Sequence, residues 1–160
     1  MWHKSESAEV AAYQLLHVLF SVPQISVKLD SIPPSHKQML SFWLGFMKTH
    51  LNTLQKGQFL PHSPLYNYPM IEAIGEGEKI VGLYASGMTV KNETGIRKLY
   101  VANASGENTV MLDLGTNYKG GLLKTFDCQG KLVKEINLPA NTSLKKVIVP
   151  VSGLMELVSK

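Results

Sequence analysis

Two kinds of hydrophobic spacing divide the chain near residue 57. Before that point apolar residues recur every three or four positions, which is typical of helices, and after it they recur every second position, which is typical of strands. The pattern predicts a helical lead over residues 1–57 and a β domain over 58–160. The expected fold class is mainly β: an antiparallel β-sandwich of about eight strands preceded by two α-helices.

The first helix is predicted over Ala8 to Phe20, with Ser7 as its N-cap and Val22-Pro23 as its end. This segment is apolar almost all round, which is typical of a buried helix. The alternating segment from Ile25 to Leu29 fits a short strand or an extended connector. A second helix is predicted from residues 31–34 to a C-cap at Gly57. Its apolar stripe contains Met39, Leu40, Trp43, Phe46, Met47, Leu51 and Leu54.

The region after Gly57 begins with a predicted loop, because residues 58–69 contain three prolines. Nine short β-type runs follow, separated by turn signals, and Cys128 to Lys131 fits a tight hairpin turn. The runs cover residues 70–73, 79–85, 88–91, 97–103, 108–114, 122–127, 132–136, 144–149 and 154–158.

The helical lead carries more apolar surface than two helices can cover by packing on each other. We therefore expect it to pack on another body, either the rest of a larger protein or a second copy of the chain. The predicted contact residues are Trp43, Phe46 and Met47.

Composition narrows the possible partners. The 160 residues include 16 Lys and Arg against 12 Asp and Glu, and the densest basic stretch is Lys145-Lys146. This is too little for a nucleic-acid tract, and no apolar run approaches the ~18 residues of a membrane span. The N-terminal Met1-Trp2-His3-Lys4 lacks the apolar core of a signal peptide, so a cytoplasmic location is favoured although the compartment stays open.

The chain shows no pattern typical of catalysis or metal binding. Its five histidines have no close metal-ligand spacing, and no metal or cofactor is expected. The three aspartates, Asp30, Asp113 and Asp127, are not paired on one rigid face as glycoside hydrolysis requires. Cys128 is the only cysteine and stands in a predicted turn without a partner base. No catalytic residue is assigned.

Aromatic residues offer a possible binding surface. Tyr66, Tyr68 and Tyr118 are candidates for stacking on a sugar, although the proline-rich loop that holds the first two is more typical of a rigid buttress between the helix and the sandwich. Three sequons, at Asn92, Asn103 and Asn141, fall in or beside predicted turns and matter only in a secreted eukaryotic protein.

Four stretches, taken in order, resemble a known family. They are Leu19-Phe20-Ser21-Val22-Pro23-Gln24-Ile25-Ser26-Val27, Phe42-Trp43-Leu44, the run from Leu54-Gln55-Lys56-Gly57-Gln58-Phe59-Leu60-Pro61 into Asn67-Tyr68-Pro69, and Ile80-Val81-Gly82-Leu83-Tyr84. The set resembles the C-terminal part of α-galactosidase-like glycoside hydrolases, the melibiase group. The resemblance is strongest over about residues 10–85.

Enzymes of that family have a β-rich N-terminal domain, a central (β/α)8 barrel with two catalytic aspartates, and a C-terminal β-sandwich. The resemblance implies that residues 1 to about 57 correspond to the last barrel elements and 58–160 to the sandwich. The catalytic aspartates belong upstream, and Asp30, Asp113 and Asp127 match neither motif. The resemblance therefore carries no catalytic role to this chain.

Three functions remain open. The first is a non-catalytic C-terminal module that supports the barrel of an α-galactosidase-like hydrolase. The second is a stand-alone carbohydrate-binding sandwich that uses Tyr66, Tyr68 or Tyr118. The third is an interaction domain whose helices bind a partner or a second copy and form a homo-oligomer.

Overall fold

Helices occupy the first third of the chain. The computed structural model describes residues 3–160, so Met1 and Trp2 of the N-terminal stretch considered for a signal peptide lie outside the described residues. The helices are α1 (Ala8–Leu16), α2 (Pro34–Thr49) and α3 (Leu51–Lys56). Ser7 caps α1 as predicted, since its hydroxyl oxygen accepts a hydrogen bond from the Val10 N–H at 3.3 Å.

Both helices of the helical lead differ from their predictions, whereas the segment between them agrees with one of its two predicted forms. The first helix ends at Leu16, and residues 17–20 form turns. Residues 25–28 form a connector and no strand, and they lead into a single 3-10 turn at Leu29–Ser31. The second predicted helix is broken at His50, which separates α2 from α3. Gly57 ends α3 with extended backbone, and a Cβ there would lie 2.8 Å from the Ile74 carbonyl oxygen, so close approach requires the glycine.

Within residues 3–160 ten strands follow the helices, and nine of them coincide with the predicted runs to within two residues at either end. The strands are β1 (Gln58–His62), β2 (Met70–Ile74), β3 (Glu78–Leu83), β4 (Thr89–Lys91), β5 (Lys98–Asn103), β6 (Thr109–Asp113), β7 (Gly121–Phe126), β8 (Leu132–Leu138), β9 (Leu144–Ile148) and β10 (Leu154–Ser159). The predicted loop over residues 58–69 is wrong where β1 lies. Pro61 is tolerated because β1 is an edge strand, the position in a sheet to which proline is largely confined.

The strands form two sheets. The large sheet has the order β1-β2-β3-β5-β10-β7-β8, and the small sheet has the order β4-β6-β9. Neighbouring strands are antiparallel except for two parallel pairs, β3 with β5 and β4 with β6. The mainly β fold class is confirmed, with mixed rather than wholly antiparallel sheets. The predicted hairpin turn is confirmed between β7 and β8, where Asp127 and Lys131 are joined by a 3.0 Å backbone hydrogen bond.

Two apolar cores separate three layers. One core lies between the two sheets and includes Val81, Val101 and Leu157 of the large sheet with Val110 and Leu112 of the small sheet. The other core lies between the helices and the opposite face of the large sheet. It includes Leu16 and Trp43 with Ile80, Tyr100 and Leu154. The helical lead thus shares its core with the β region, and the large sheet is covered on both faces.

A buried asparagine holds one corner of the sandwich. Asn103 is fully buried, and its Nδ2 donates to the carbonyl oxygens of Glu107 at 2.7 Å and Val149 at 3.0 Å. Its Oδ1 accepts from the Ser105 hydroxyl at 2.7 Å. These bonds connect the end of β5 to the segment after β9. They also leave Asn103 inaccessible as a glycosylation site in the folded chain.

Replacing Asn103 is expected to destabilise the fold. Asn103→Ala removes both amide donors and leaves the buried Val149 carbonyl without its partner, which should lower the free energy of unfolding by about 1–3 kcal/mol. The exposed Asn108 is the matched control, and Asn108→Ala should change the free energy of unfolding by less than about 0.5 kcal/mol. Urea unfolding monitored by circular dichroism measures both. Equal losses in the two variants would contradict the role assigned to Asn103.

Candidate functional site

The predicted contact residues of the second helix are buried within the chain itself. Trp43 is 0% exposed, and Phe46 and Met47 are also buried. Trp43 and Phe46 stack edge to face, and Phe46 meets Tyr100 of the large sheet in the same way at 5.5 Å. The expectation that these three side chains form a self-association or barrel-docking surface is therefore wrong. The large sheet provides the cover that the sequence analysis expected from outside.

The three candidate sugar-binding tyrosines divide into two groups. Tyr118 lies in the turn between β6 and β7 and is only 6% exposed, so it offers no open platform on the surface of the chain. Tyr66 and Tyr68 lie in the loop between β1 and β2, where Tyr66 is 78% exposed and Tyr68 is partly exposed. The neighbouring Leu65 is 95% exposed.

Left-handed backbone conformations shape this loop, which we call the 63–69 loop. Ser63, Asn67 and Tyr68 all have φ between 51° and 56°. Such values are uncommon for residues with a Cβ, and for a bulky residue such as tyrosine they indicate local strain. A 3-10 turn at Pro64–Tyr66 lies between them, and the Pro69 carbonyl accepts from the Tyr84 N–H at 2.8 Å. The loop is thus a defined projection that holds apolar side chains in solvent.

Exposed apolar residues continue from the loop towards α1. The Tyr84 hydroxyl donates to the Leu16 carbonyl at 3.0 Å, and its ring lies 5.2 Å from His17, which in turn contacts Tyr13. Phe59 of β1 meets Phe20 edge to face. We define the outer apolar surface by the elements that carry it, as exposed apolar side chains of α1 and the turn after it, of β1 and of the 63–69 loop: Val10, Tyr13, Val18, Phe59, Leu65, Tyr66 and Tyr68. Sequence analysis identified only the two loop tyrosines.

A polar cluster lies between the helices and the large sheet, at the break between α2 and α3. The Glu78 carboxylate accepts from the Thr53 hydroxyl at 2.6 Å and lies 2.9 Å from His50 Nδ1. The His50 ring packs against Phe46 and Tyr100 at 4.5 Å each. Burial, followed by the nearby Glu156 charge, raises the pKa of Tyr100. A histidine oriented by a carboxylate is chemically suited to proton transfer, but here both groups are largely buried and link the layers.

A buried lysine connects the two sheets. Lys79 of β3 is 0% exposed, and its Nζ lies 2.7 Å from a Glu72 carboxylate oxygen. The same ammonium donates to both oxygens of Glu93, at 3.0 and 2.9 Å, and to the Lys91 carbonyl. His62 Nε2 lies 3.2 Å from the other Glu72 oxygen. This cluster is not apparent from the sequence, because nothing in the alternating pattern marks Lys79 as inward-facing and paired.

Neither a reactive thiol nor a metal site is found among residues 3–160. Burial raises the pKa of Cys128 to about 12, so its thiol stays protonated and is a poor nucleophile. Among residues 3–160, no group of three or more histidine, cysteine, aspartate or glutamate side chains is arranged to hold a metal ion. None of the helices in that range is long and apolar enough to cross a bilayer.

Comparison with known proteins gives no relative: no family model, curated protein or solved structure matches the chain. The outer apolar surface is the feature that the packing of the fold leaves unexplained.

The buried lysine allows a sharp test of the packing between the sheets. Lys79→Ala leaves the buried Glu72 carboxylate without its cation and should cost about 3–5 kcal/mol of unfolding free energy. Lys124→Ala is the matched control, because Lys124 pairs with Glu135 at 3.5 Å where both side chains are partly exposed. That variant should lose less than about 1 kcal/mol. Similar thermal or urea midpoints for the two variants would contradict the role of Lys79.

Proposed function

We propose that the chain is a non-catalytic C-terminal module of an α-galactosidase-like glycoside hydrolase, and that it docks on the catalytic barrel through the outer apolar surface. The family resemblance over residues 10–85 supports this, and it includes the sequence from Leu54 to Pro69 that leads into the 63–69 loop. The observation that carries the proposal is the loop itself, which holds Leu65 and Tyr66 largely in solvent and places the bulky Tyr68 in a strained left-handed conformation beside them. Such strain persists only where the surrounding structure imposes it, and it is common at binding surfaces.

Docking of this kind would use the outer side of the helical layer. The inner side already packs on the large sheet, so the barrel would cover Val10, Tyr13 and Val18 together with the loop. Burying one side chain such as leucine contributes about 1.5–3 kcal/mol, so two or three of these residues would dominate the affinity.

A second candidate function is carbohydrate binding, favoured by the exposure of Tyr66 and Tyr68 in the same loop. Aromatic rings in a rigid loop can stack on the apolar face of a sugar without an ordering cost. This function would need no partner chain.

The purified chain is expected to have no α-galactosidase activity. A chromogenic α-galactoside tests this directly, with an active α-galactosidase-like hydrolase as the positive control. The chain should hydrolyse the substrate no faster than a heat-denatured sample of the same chain, which gives the background rate. Turnover above that rate would place catalytic acids among the carboxylates of this chain and would overturn the proposal.

Docking is expected to depend on the tip of the 63–69 loop. The double variant Leu65→Ser with Tyr66→Ser should bind the isolated barrel of an α-galactosidase-like hydrolase at least about tenfold more weakly than the unmodified chain. Calorimetry measures the affinity, after circular dichroism has confirmed that the barrel is folded. Leu132→Ser with Val133→Ser is the matched control, because it removes two half-exposed apolar residues from the edge strand β8.

Equal binding by the two double variants would contradict docking through the loop, as would failure of the unmodified chain to bind the folded barrel. Binding of free galactose that is lost in the loop variant, without barrel binding, would support the carbohydrate-binding function instead.

A further inference from the structure

Three segments enclose a cleft at one end of the sandwich, away from the 63–69 loop. They are the turn over residues 92–97 between β4 and β5, the turn over 114–119 between β6 and β7, and residues 159–160 after β10. The cleft has a volume of about 750 Å³, within the range of small-molecule sites. Ile96, Leu114 and Tyr118 are its apolar lining, and Leu114 and Tyr118 are buried.

The charge of the cleft is unbalanced. Arg97, Lys119 and Lys160 line it, and none of them lies within 4.0 Å of a carboxylate of residues 3–160. Glu93 is the one acidic residue of the lining, and both of its oxygens already accept hydrogen bonds from the buried Lys79. Asp113 is nearby, but its Oδ1 accepts from the Gly115 N–H at 3.0 Å. Glu93 is therefore paired with a cation and one oxygen of Asp113 is hydrogen-bonded, whereas the side chains of Arg97, Lys119 and Lys160 have no carboxylate partner among residues 3–160.

The walls of the cleft are fixed by backbone hydrogen bonds to neighbouring strands and turns. The N–H groups of Arg97 and Lys160 donate to the carbonyls of Gly77 and Gly120 at 2.9 and 3.0 Å. The Asn92 N–H donates to the Asp113 carbonyl at 2.8 Å, which ties the first turn to the second. Because Glu93 is held by Lys79, the first turn is also anchored by an ion pair. A site with walls fixed in this way loses little entropy when a ligand binds.

We propose that this cleft binds a small ligand through an oxyanion, a carboxylate or phosphate group, with Arg97, Lys119 and Lys160 as its cationic partners. The size and mixed lining suit an acidic sugar or a sugar phosphate, since the side-chain amides of Asn92 and Asn117 are present among the lining residues for ligand hydroxyls. Arg97 supplies the planar fork that pairs with either oxyanion, and the lysines add charge. The oxyanion site does not depend on the function proposed above, whereas the choice of a sugar as the carrier of that group rests on it.

The experiment titrates the full chain with galacturonate, inorganic phosphate and neutral galactose, using amide chemical shifts at low ionic strength. Because the cations are exposed, the expected dissociation constant for the anionic probes is about 1 mM. Shifts should concentrate at residues 92–97 and 114–119. Arg97→Gln with Lys119→Gln should weaken binding about tenfold, and about 0.5 M salt should weaken it further.

A matched control removes the same charge elsewhere. Lys131→Gln with Lys134→Gln alters two exposed lysines at the β8 edge, outside the cleft, and should leave the affinity unchanged. Binding of galacturonate or of phosphate supports the proposal and identifies which oxyanion the site prefers. Galactose binding as tight as galacturonate binding, equal weakening in the two double variants, or the absence of shifts at the cleft would overturn it.

Discussion

The large sheet must be apolar on both faces, and the rest of the fold follows from that constraint. A sheet buried on both sides has strands that read as continuous apolar runs instead of alternating ones. Strands β3, β5 and β10 have this character, with Ile80-Val81, residues 99–102 and residues 154–155 buried throughout. Each face therefore needs a cover of its own. The helices cover one face and the three-stranded sheet covers the other, so neither layer is an optional addition.

Ion pairs and hydrogen bonds of charged residues connect these layers. Apolar packing alone is non-directional and would not fix the position of one layer relative to the next. Glu78 ties the helical layer to β3 through His50 and Thr53, and Lys79, the next residue along β3, ties the small sheet to the same strand through Glu93. Adjacent residues of one strand thus point to opposite faces and hold opposite layers. The Ser152 hydroxyl adds a third link by donating to the Glu9 carbonyl of α1 at 2.8 Å. These directional contacts fix how the layers are oriented.

The sequence predicted the elements better than it predicted their neighbours. Local spacing and turn residues were enough for nine strands, and Ser7 was recognisable as a cap because capping is a local interaction. The edge strand β1 was missed because prolines remove the local signal, although an edge position tolerates them. The packing of Trp43 and Phe46 on the large sheet could not be predicted. An apolar stripe indicates that a helix packs on something, but it does not identify the element that it packs on. The cleft was beyond prediction for the same reason: residues 92–97, 114–119 and 159–160 meet only through long-range pairing.

The position of β10 has a consequence for how the chain reaches its folded state. In chain order it is the last of the ten strands, yet in the large sheet it lies between β5 and β7. Until residues 154–159 have been synthesised, β5 and β7 each expose an unpaired edge, and the sheet is divided into two parts that cannot join. The chain also crosses between the sheets at β4, β6 and β9, so no early segment completes either sheet.

Folding should therefore be concerted and slow, as is typical of non-local β topologies. A nascent chain that stalls before β10 would present two open edges to its neighbours, which is the geometry that leads to aggregation.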